Sequence, residues 1–306
     1  MRAVFLDFGT VSSGDLDTSP LERVLPGIVL HQRTPQPEVL ARIAGQEVVL
    51  ANKSVIDGAA MAANPQLRLV ALTATGVDNV DVAAARARGV AVCNLRDYCT
   101  DSVAQHVFAM LLALTRRIPE YGALVAGGRW QEAGQFSVFP YPIRELSGRV
   151  LGVVGHGALG SAVASIARAF GMRVEIASRP GGGPAVGRRD LDELLPALDV
   201  LSLHCPLTEA TRGLIGRERL ARMKPDAVLI NTARGALVDG RALAEALKAG
   251  RLGGAGIDVL EREPPPPDHP LLDPSIPNLI VTPHVAWAAR EARQRCLDEL
   301  ALNVQS

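Results

Sequence analysis

The chain has 306 residues, 48% of them hydrophobic, and its 32 Lys and Arg are balanced by 32 Asp and Glu. That is enough apolar material for about two domains of ~150 residues each. Zero net charge argues against nucleic acid or an anionic membrane as partner, and favours a small substrate held by a few local charges.

The opening "MRAVFLDFG" reads as a core strand around Val4, Phe5 and Leu6. It does not read as a signal peptide, because an aspartate interrupts a short apolar run. No stretch reaches the roughly 18 unbroken apolar residues of a membrane span, which predicts a soluble, cytoplasmic protein. Cys93, Cys99, Cys205 and Cys296 lack both C-x-x-C and zinc-ligand spacing, so reduced, packed thiols and no metal site are expected.

From there, strand-like and helix-like stretches alternate, as in parallel sheets covered by helices. "AVFLD", "EVVLAN", "LRLVALTATG" and "VAVCNL" are β-rich runs separated by helical or turn segments. "TDSVAQHVFAMLLALTRRI" is apolar on more than one face, which predicts a helix buried between two domains or at a subunit contact. Residues 127–149 are rich in Gly, Pro and aromatics without helical or strand periodicity, and are read as an arm or interface loop. Alternation then resumes to the end of the chain.

"VLGVVGHGALGSAVASIARAFG" carries the first decisive motif. An apolar strand runs into Gly155, His156, Gly157, Ala158, Leu159 and Gly160 and then into an apolar-periodic helix. Glycines there permit a tight turn and close approach of the backbone to a pyrophosphate, whose charge the helix N-terminus stabilises. A dinucleotide fold places an acid about twenty residues on, at the end of the second strand, to bind the ribose. Here that strand ends "VEIASRP", with Ser178 at the acid position and Arg179 beside it. A small hydroxyl next to a guanidinium accommodates a 2′-phosphate that a carboxylate would repel, so the cofactor is expected to be NAD(P) with a leaning to NADP(H). The alternative is a solvated Arg179 and an indifferent site.

Ligands of open parallel sheets bind beyond the carboxyl ends of the strands. His204 follows "DVLSL", Arg234 follows "AVLINTA", Asp258 lies in "GAGIDVL" and His284 follows "NLIVTP", so four potentially charged groups gather at the edge bearing the glycines. Cys205, Pro206, Thr232 and Ala233, which flank two of them, are grouped with the cofactor-binding set. An imidazole beside a nicotinamide suggests hydride transfer to a carbonyl with His284 giving a proton to its oxygen. Glu263, in a loop stiffened by prolines, is available to hold that imidazole in one tautomer. Arg234 offers a planar fork for a carboxylate and can polarise a neighbouring carbonyl. Together these residues describe reduction of a 2-oxo acid. Trp287 either narrows the pocket or packs as ordinary core.

With those residues stated, the chain resembles the D-2-hydroxyacid dehydrogenase family, specifically its glycerate dehydrogenase or hydroxypyruvate reductase branch. The likeness runs through "ATGVDNVDVAAARARGVAVCN", "VAQHVFAMLLAL", "GHGALG", "HCPLTEATRGLI", "MKPDAVLINTARGALVD", "GAGIDVLEREPPPPDHPLL" and "VTPHVAW". It implies two doubly wound α/β domains with the active site in the cleft. One is a flavodoxin-like substrate domain from residues 1–99 plus 286–306, and the other an inserted Rossmann cofactor domain, 100–285. It further implies that Arg234 binds the substrate carboxylate and carbonyl, that Glu263 pairs with His284, and that Asp258 contacts the nicotinamide amide. Backbone of Thr75, Gly76 and Val77, and of Asn52 and Lys53, is implied to hold the carboxylate, an anion nest in chemical terms. A homodimer joined through the cofactor domains would suit the 127–149 arm. The expected reaction is hydroxypyruvate to D-glycerate with glyoxylate as a second substrate. A bulkier 2-oxo acid, or a nucleotide-sensing binding protein on the same fold, are the competing readings.

Overall fold

A computed structural model describes residues 1–178 and 185–305. It separates into two compact units, Met1–Cys99 with Trp287–Ser306, and Thr100–Ala286.

The first unit is built on strands β1 (Ala3–Phe5), β2 (Val29–Leu30), β3 (Val48–Ala51), β4 (Leu69–Leu72) and β5 (Ala91–Cys93), in the order β2-β1-β3-β4-β5. All pairs are parallel. Because side chains alternate across a strand, Val4, Val49, Val70 and Leu72 pack on one face with Ile43 and Met61. Ala3, Phe5, Leu50 and Ala71 pack on the other with Leu21, Leu297 and Leu300. A sheet covered on both faces needs continuous apolar runs, which is what the sequence supplies. The last helix, Arg290–Gln305, brings Leu297, Leu300 and Val304 to this core, and Arg293 ties it down through an ion pair with Asp15 at 2.6 Å.

In the second unit the strands are β6 (Val150–Val154), β7 (Arg173–Ile176), β8 (Val200–Leu203), β9 (Val228–Asn231), β10 (Gly254–Ile257) and β11 (Leu279–Val281). Their order is β11-β10-β9-β8-β6-β7, again all parallel. The order reverses at β6, so the topological switch point lies between β6 and β8. The long apolar helix, Thr100–Arg116, spends its face (Ala104, Val107, Phe108, Leu111) on this unit's own sheet and on the helix Ala158–Ala169. Arg117, in left-handed conformation, turns the chain into a second helix, Ile118–Ala126. Residues 129–133, expected to be loop, form a short helix between two left-handed glycines, Gly128 and Gly134. Among the described residues no helix is long and apolar enough to cross a membrane.

Candidate active site

At the β6 end, Gly155 has φ of +92°, and a Cβ there would lie 2.6 Å from the backbone of His204 and Cys205. Only glycine lets the β6 turn close against the β8 end at the switch point. Gly160 is equally constrained: its Cβ would meet the Gly155 carbonyl at 2.0 Å. Gly157 differs, because a Cβ there would meet nothing within 4 Å. It precedes a twelve-residue helix whose first amides, those of Ala158, Leu159 and Gly160, open onto the same space, with no side-chain cap from Gly157. Open space over a helix N-terminus suits a pyrophosphate.

Two further observations test the fit of a dinucleotide. His204 Nδ1 and Thr232 Oγ1, at the ends of the adjacent strands β8 and β9, are buried side-chain atoms without a hydrogen-bond partner. Buried polar groups are normally satisfied, so these two point to a ligand carrying hydroxyl or amide groups. His204 is neutral, since burial pushes its pKa down to about 4, and its Nε2 meets Ser202 Oγ at 2.8 Å. Burial also pushes the Cys205 thiol up to about 11. Pro206 accepts a hydrogen bond from Thr211 through its carbonyl. The residues present therefore fit a nicotinamide dinucleotide. Arg179 lies outside the described residues. Ser178 follows β7 and donates its N–H to the Arg189 carbonyl at 2.7 Å.

Asn231 ends β9, and its side chain organises the next turn. It accepts the Ala233 N–H at 3.1 Å and donates to the Arg234 carbonyl at 2.9 Å. Arg234 Nη1 donates to the Ala233 carbonyl, and its guanidinium has no carboxylate partner among the described residues. A Cβ on Gly235 would lie 2.0 Å from the Leu260 carbonyl carbon, so this turn rests directly on the backbone of the loop carrying Glu263. In that loop Leu260 N–H donates to Glu263 Oε1 at 2.9 Å, and Glu263 Oε2 faces His284 Nδ1 at 2.6 Å. Glu261 Oε2 likewise faces His269 Nε2 at 2.9 Å, fixing the far end of the loop.

His284 is held in left-handed backbone, φ 56°, a conformation rare for a residue with a side chain. Its N–H donates to the Asp258 carbonyl at 2.8 Å. The Asp258 carboxylate accepts Thr282 Oγ1 at 2.5 Å, Val285 N–H at 2.9 Å and Ala286 N–H at 3.0 Å. Its side chain has no exposed surface. Of the four potentially charged groups at the strand ends, His204 is thus neutral and Asp258 anchors the His284 turn.

In the first unit, Asp7 was not foreseen. Its buried carboxylate accepts the N–H groups of Asn52 (2.8 Å), Lys53 (2.7 Å) and Ser54 (2.7 Å), spanning the β1/β3 switch point. The backbone amides of Asn52 and Lys53 are consequently spent and do not form the expected anion nest. After β4, the amides of Thr75, Gly76 and Val77 make no such bond among the described residues, while the Thr75 carbonyl accepts Asn94 Nδ2. Trp287 packs edge-on against Tyr98, ring centroids 6.3 Å apart.

Residues 108–286 match the family model described as D-isomer specific 2-hydroxyacid dehydrogenase, NAD binding domain. A glycerate dehydrogenase of Methylorubrum extorquens is 45% identical over 273 residues, 89% of this chain and 86% of that protein. A hydroxypyruvate reductase of Blautia hydrogenotrophica is 36% identical over 312 residues, 100% of this chain and 96% of that protein. The crystal structure of an NADPH-dependent glyoxylate/hydroxypyruvate reductase of Sinorhizobium meliloti, in complex with NADP and malonate, superposes with a TM-score of 0.80 at 32% identity. That superposition covers 99% of this chain and 92% of that one.

Proposed function

The chain belongs to the D-isomer specific 2-hydroxyacid dehydrogenase family, and on that premise we propose that it interconverts hydroxypyruvate and D-glycerate, with glyoxylate as a second substrate and NADPH as the favoured reductant. The activity class is NAD(P)H-dependent interconversion of 2-oxo and D-2-hydroxy acids. The observation that carries the reading of the site is the His284–Glu263 contact at 2.6 Å, in a loop on which the Arg234 turn directly rests.

When bound, the nicotinamide supplies the hydride. Arg234 takes the substrate carboxylate and polarises the carbonyl beside it, which its planar, permanently charged fork suits. His284 delivers the proton to the carbonyl oxygen from Nε2 while Nδ1–H stays on Glu263. In the first unit, the uncommitted amides of residues 75–77 are the backbone proposed to bind a carboxylate. Choice of a short polar acid is supported by the two relatives, whose names describe opposite directions of one conversion.

The NADP(H) leaning is supported by Ser178 and by Arg188. The bridge between Ala177 and Arg189 puts those two side chains on one face of β7, where Arg189 meets Glu175 at 3.8 Å. Arg188 therefore shares the other face with Ser178. It is half-buried and makes no side-chain hydrogen bond or ion pair among the described residues. A homodimer is proposed through the 127–149 segment, where Phe136 is 96% and Phe139 is 82% exposed. Phe136→Asp with Phe139→Asp should then give monomers by light scattering. The protein is proposed to work in the cytoplasm.

Initial rates with NADPH and NADH, each against hydroxypyruvate, glyoxylate and a bulky 2-oxo acid, test the whole reading. Fast hydroxypyruvate turnover with NADPH favoured is expected. NADH preference would discard the roles of Ser178 and Arg188, and a preference for the bulky acid would discard the substrate.

A further inference from the structure

We propose that His106 is a positioning residue for His284, acting from the helix Thr100–Arg116 through Thr282 and Asp258. The proposal rests on the reading of His284 as proton donor. Ser102 and His106 are four positions apart, so they lie one above the other on one helix face. Thr282 and Ala286 are also four positions apart, at either side of His284. The two pairs meet: Ser102 Oγ donates to the Ala286 carbonyl at 2.6 Å, and His106 Nε2 lies 3.0 Å from Thr282 Oγ1. One helix face thus brackets the turn that presents the imidazole.

The direction of each bond follows from counting protons. Thr282 has one hydroxyl proton, and the Asp258 carboxylate at 2.5 Å can only accept. That proton therefore points to Asp258, so Thr282 Oγ1 must accept from His106, and His106 carries its proton on Nε2. The chain runs His106 to Thr282 to Asp258, whose carboxylate and carbonyl then take the N–H groups of Val285, Ala286 and His284. Asp258 is 1% exposed and has no Lys or Arg partner among the described residues. Its nearest cationic candidate is His106 itself, at 3.6 Å. The left-handed backbone at His284 costs energy and persists only where its surroundings over-determine it. His106 and Ser102 supply that determination from a rigid element.

A misplacement of about 1 Å can cost about 10²-fold in rate, so slackening this clamp should act on turnover rather than on binding. Thr282→Val keeps the shape and removes the hydroxyl, and His106→Leu removes the donor. Each is expected to lower kcat by about 10- to 100-fold, with the KM for hydroxypyruvate and the Kd for NADPH, read by fluorescence, unchanged within about twofold. Thr282→Ser and His106→Gln, which keep a hydroxyl and an N–H donor, should retain most of the turnover. The Thr282→Val, His106→Leu double variant should be no worse than the poorer single one, because both break one chain. Unaltered kcat in both single variants, with His284→Asn inactive, would overturn the proposal alone. Parallel losses in kcat, KM and NADPH binding, unrescued by serine, would also overturn it. Near-normal turnover in His284→Asn would overturn the proton-donor reading beneath it.

Discussion

Nδ1 of His284 stands 2.6 Å from Oε2 of Glu263, and the remaining Glu263 oxygen is held by the Leu260 N–H at 2.9 Å. The carboxylate can only accept, so the proton of that contact is on Nδ1, and in the proposed mechanism Nε2 serves the substrate. His284→Asn should fold and bind NADPH yet lose roughly 10²–10⁴-fold in kcat, the scale of an absent general acid. Glu263→Gln puts an amide where the carboxylate accepts from Nδ1, so the imidazole is no longer held in one tautomer. Its kcat should fall by about tenfold or more with NADPH binding unchanged. An unchanged kcat would mean that a different group orients the imidazole.

Gly157 and Gly160 separate ligand space from protein packing. A Cβ at Gly157 meets no protein atom within 4 Å, and its φ of −87° is open to alanine. Gly157→Ala should leave the thermal midpoint unchanged but weaken NADPH binding by about tenfold or more, roughly 1.4 kcal/mol. At Gly160 the new atom would meet the Gly155 carbonyl at 2.0 Å, so Gly160→Ala should lower stability as well. Equal NADPH affinity in wild type and Gly157→Ala would place the pyrophosphate elsewhere.

Asp7 offers a prediction of stability alone. Its two oxygens accept three backbone N–H groups and the Ser54 hydroxyl, so an amide in their place confronts donors with a donor. Leaving one or two buried N–H groups unmet costs about 1–3 kcal/mol each. Asp7→Asn should lower unfolding stability by about 2–4 kcal/mol in a denaturant titration. A loss under ~0.5 kcal/mol would mean that the loop amides find other acceptors.

The alternation of strands and helices, and the glycine turn after β6, were legible because both are local: continuous apolar runs and glycine spacing are written in consecutive residues. The two ends of the Glu263–His284 contact could also be marked, each following an apolar run or sitting before prolines. Asp7 could not. It is one acid after one strand, and its significance lies in amides 45 to 47 residues away that meet it only once β1 and β3 pair. Asn231 left a faint signal, an Asn closing an apolar strand, which is how side chains that cap turns appear in sequence. His106 left none, since a histidine on an apolar helix gives no sign of which strand end it will touch. The amides of Asn52 and Lys53 were misread for the same reason: their chemical type was visible and their acceptor was not.

His204 gives the protein an acid limit. Burial holds its pKa at about 4 in the folded chain, against 6.5 for an ordinary histidine. Below pH 6.5 the unfolded chain takes up a proton that the folded chain refuses, so unfolding is favoured. The contribution is complete above pH 6.5 and is lost as the pH falls toward 4. At about 1.4 kcal/mol per pH unit the full loss is on the order of 3 kcal/mol. His204→Gln removes the titrating group while keeping a polar side chain beside Ser202. Between pH 7 and pH 4.5 the urea midpoint of the wild type should therefore fall further than that of His204→Gln. Parallel falls in the two proteins would mean that His204 accepts a proton in the folded state without penalty, and that its unpartnered Nδ1 is reached by water.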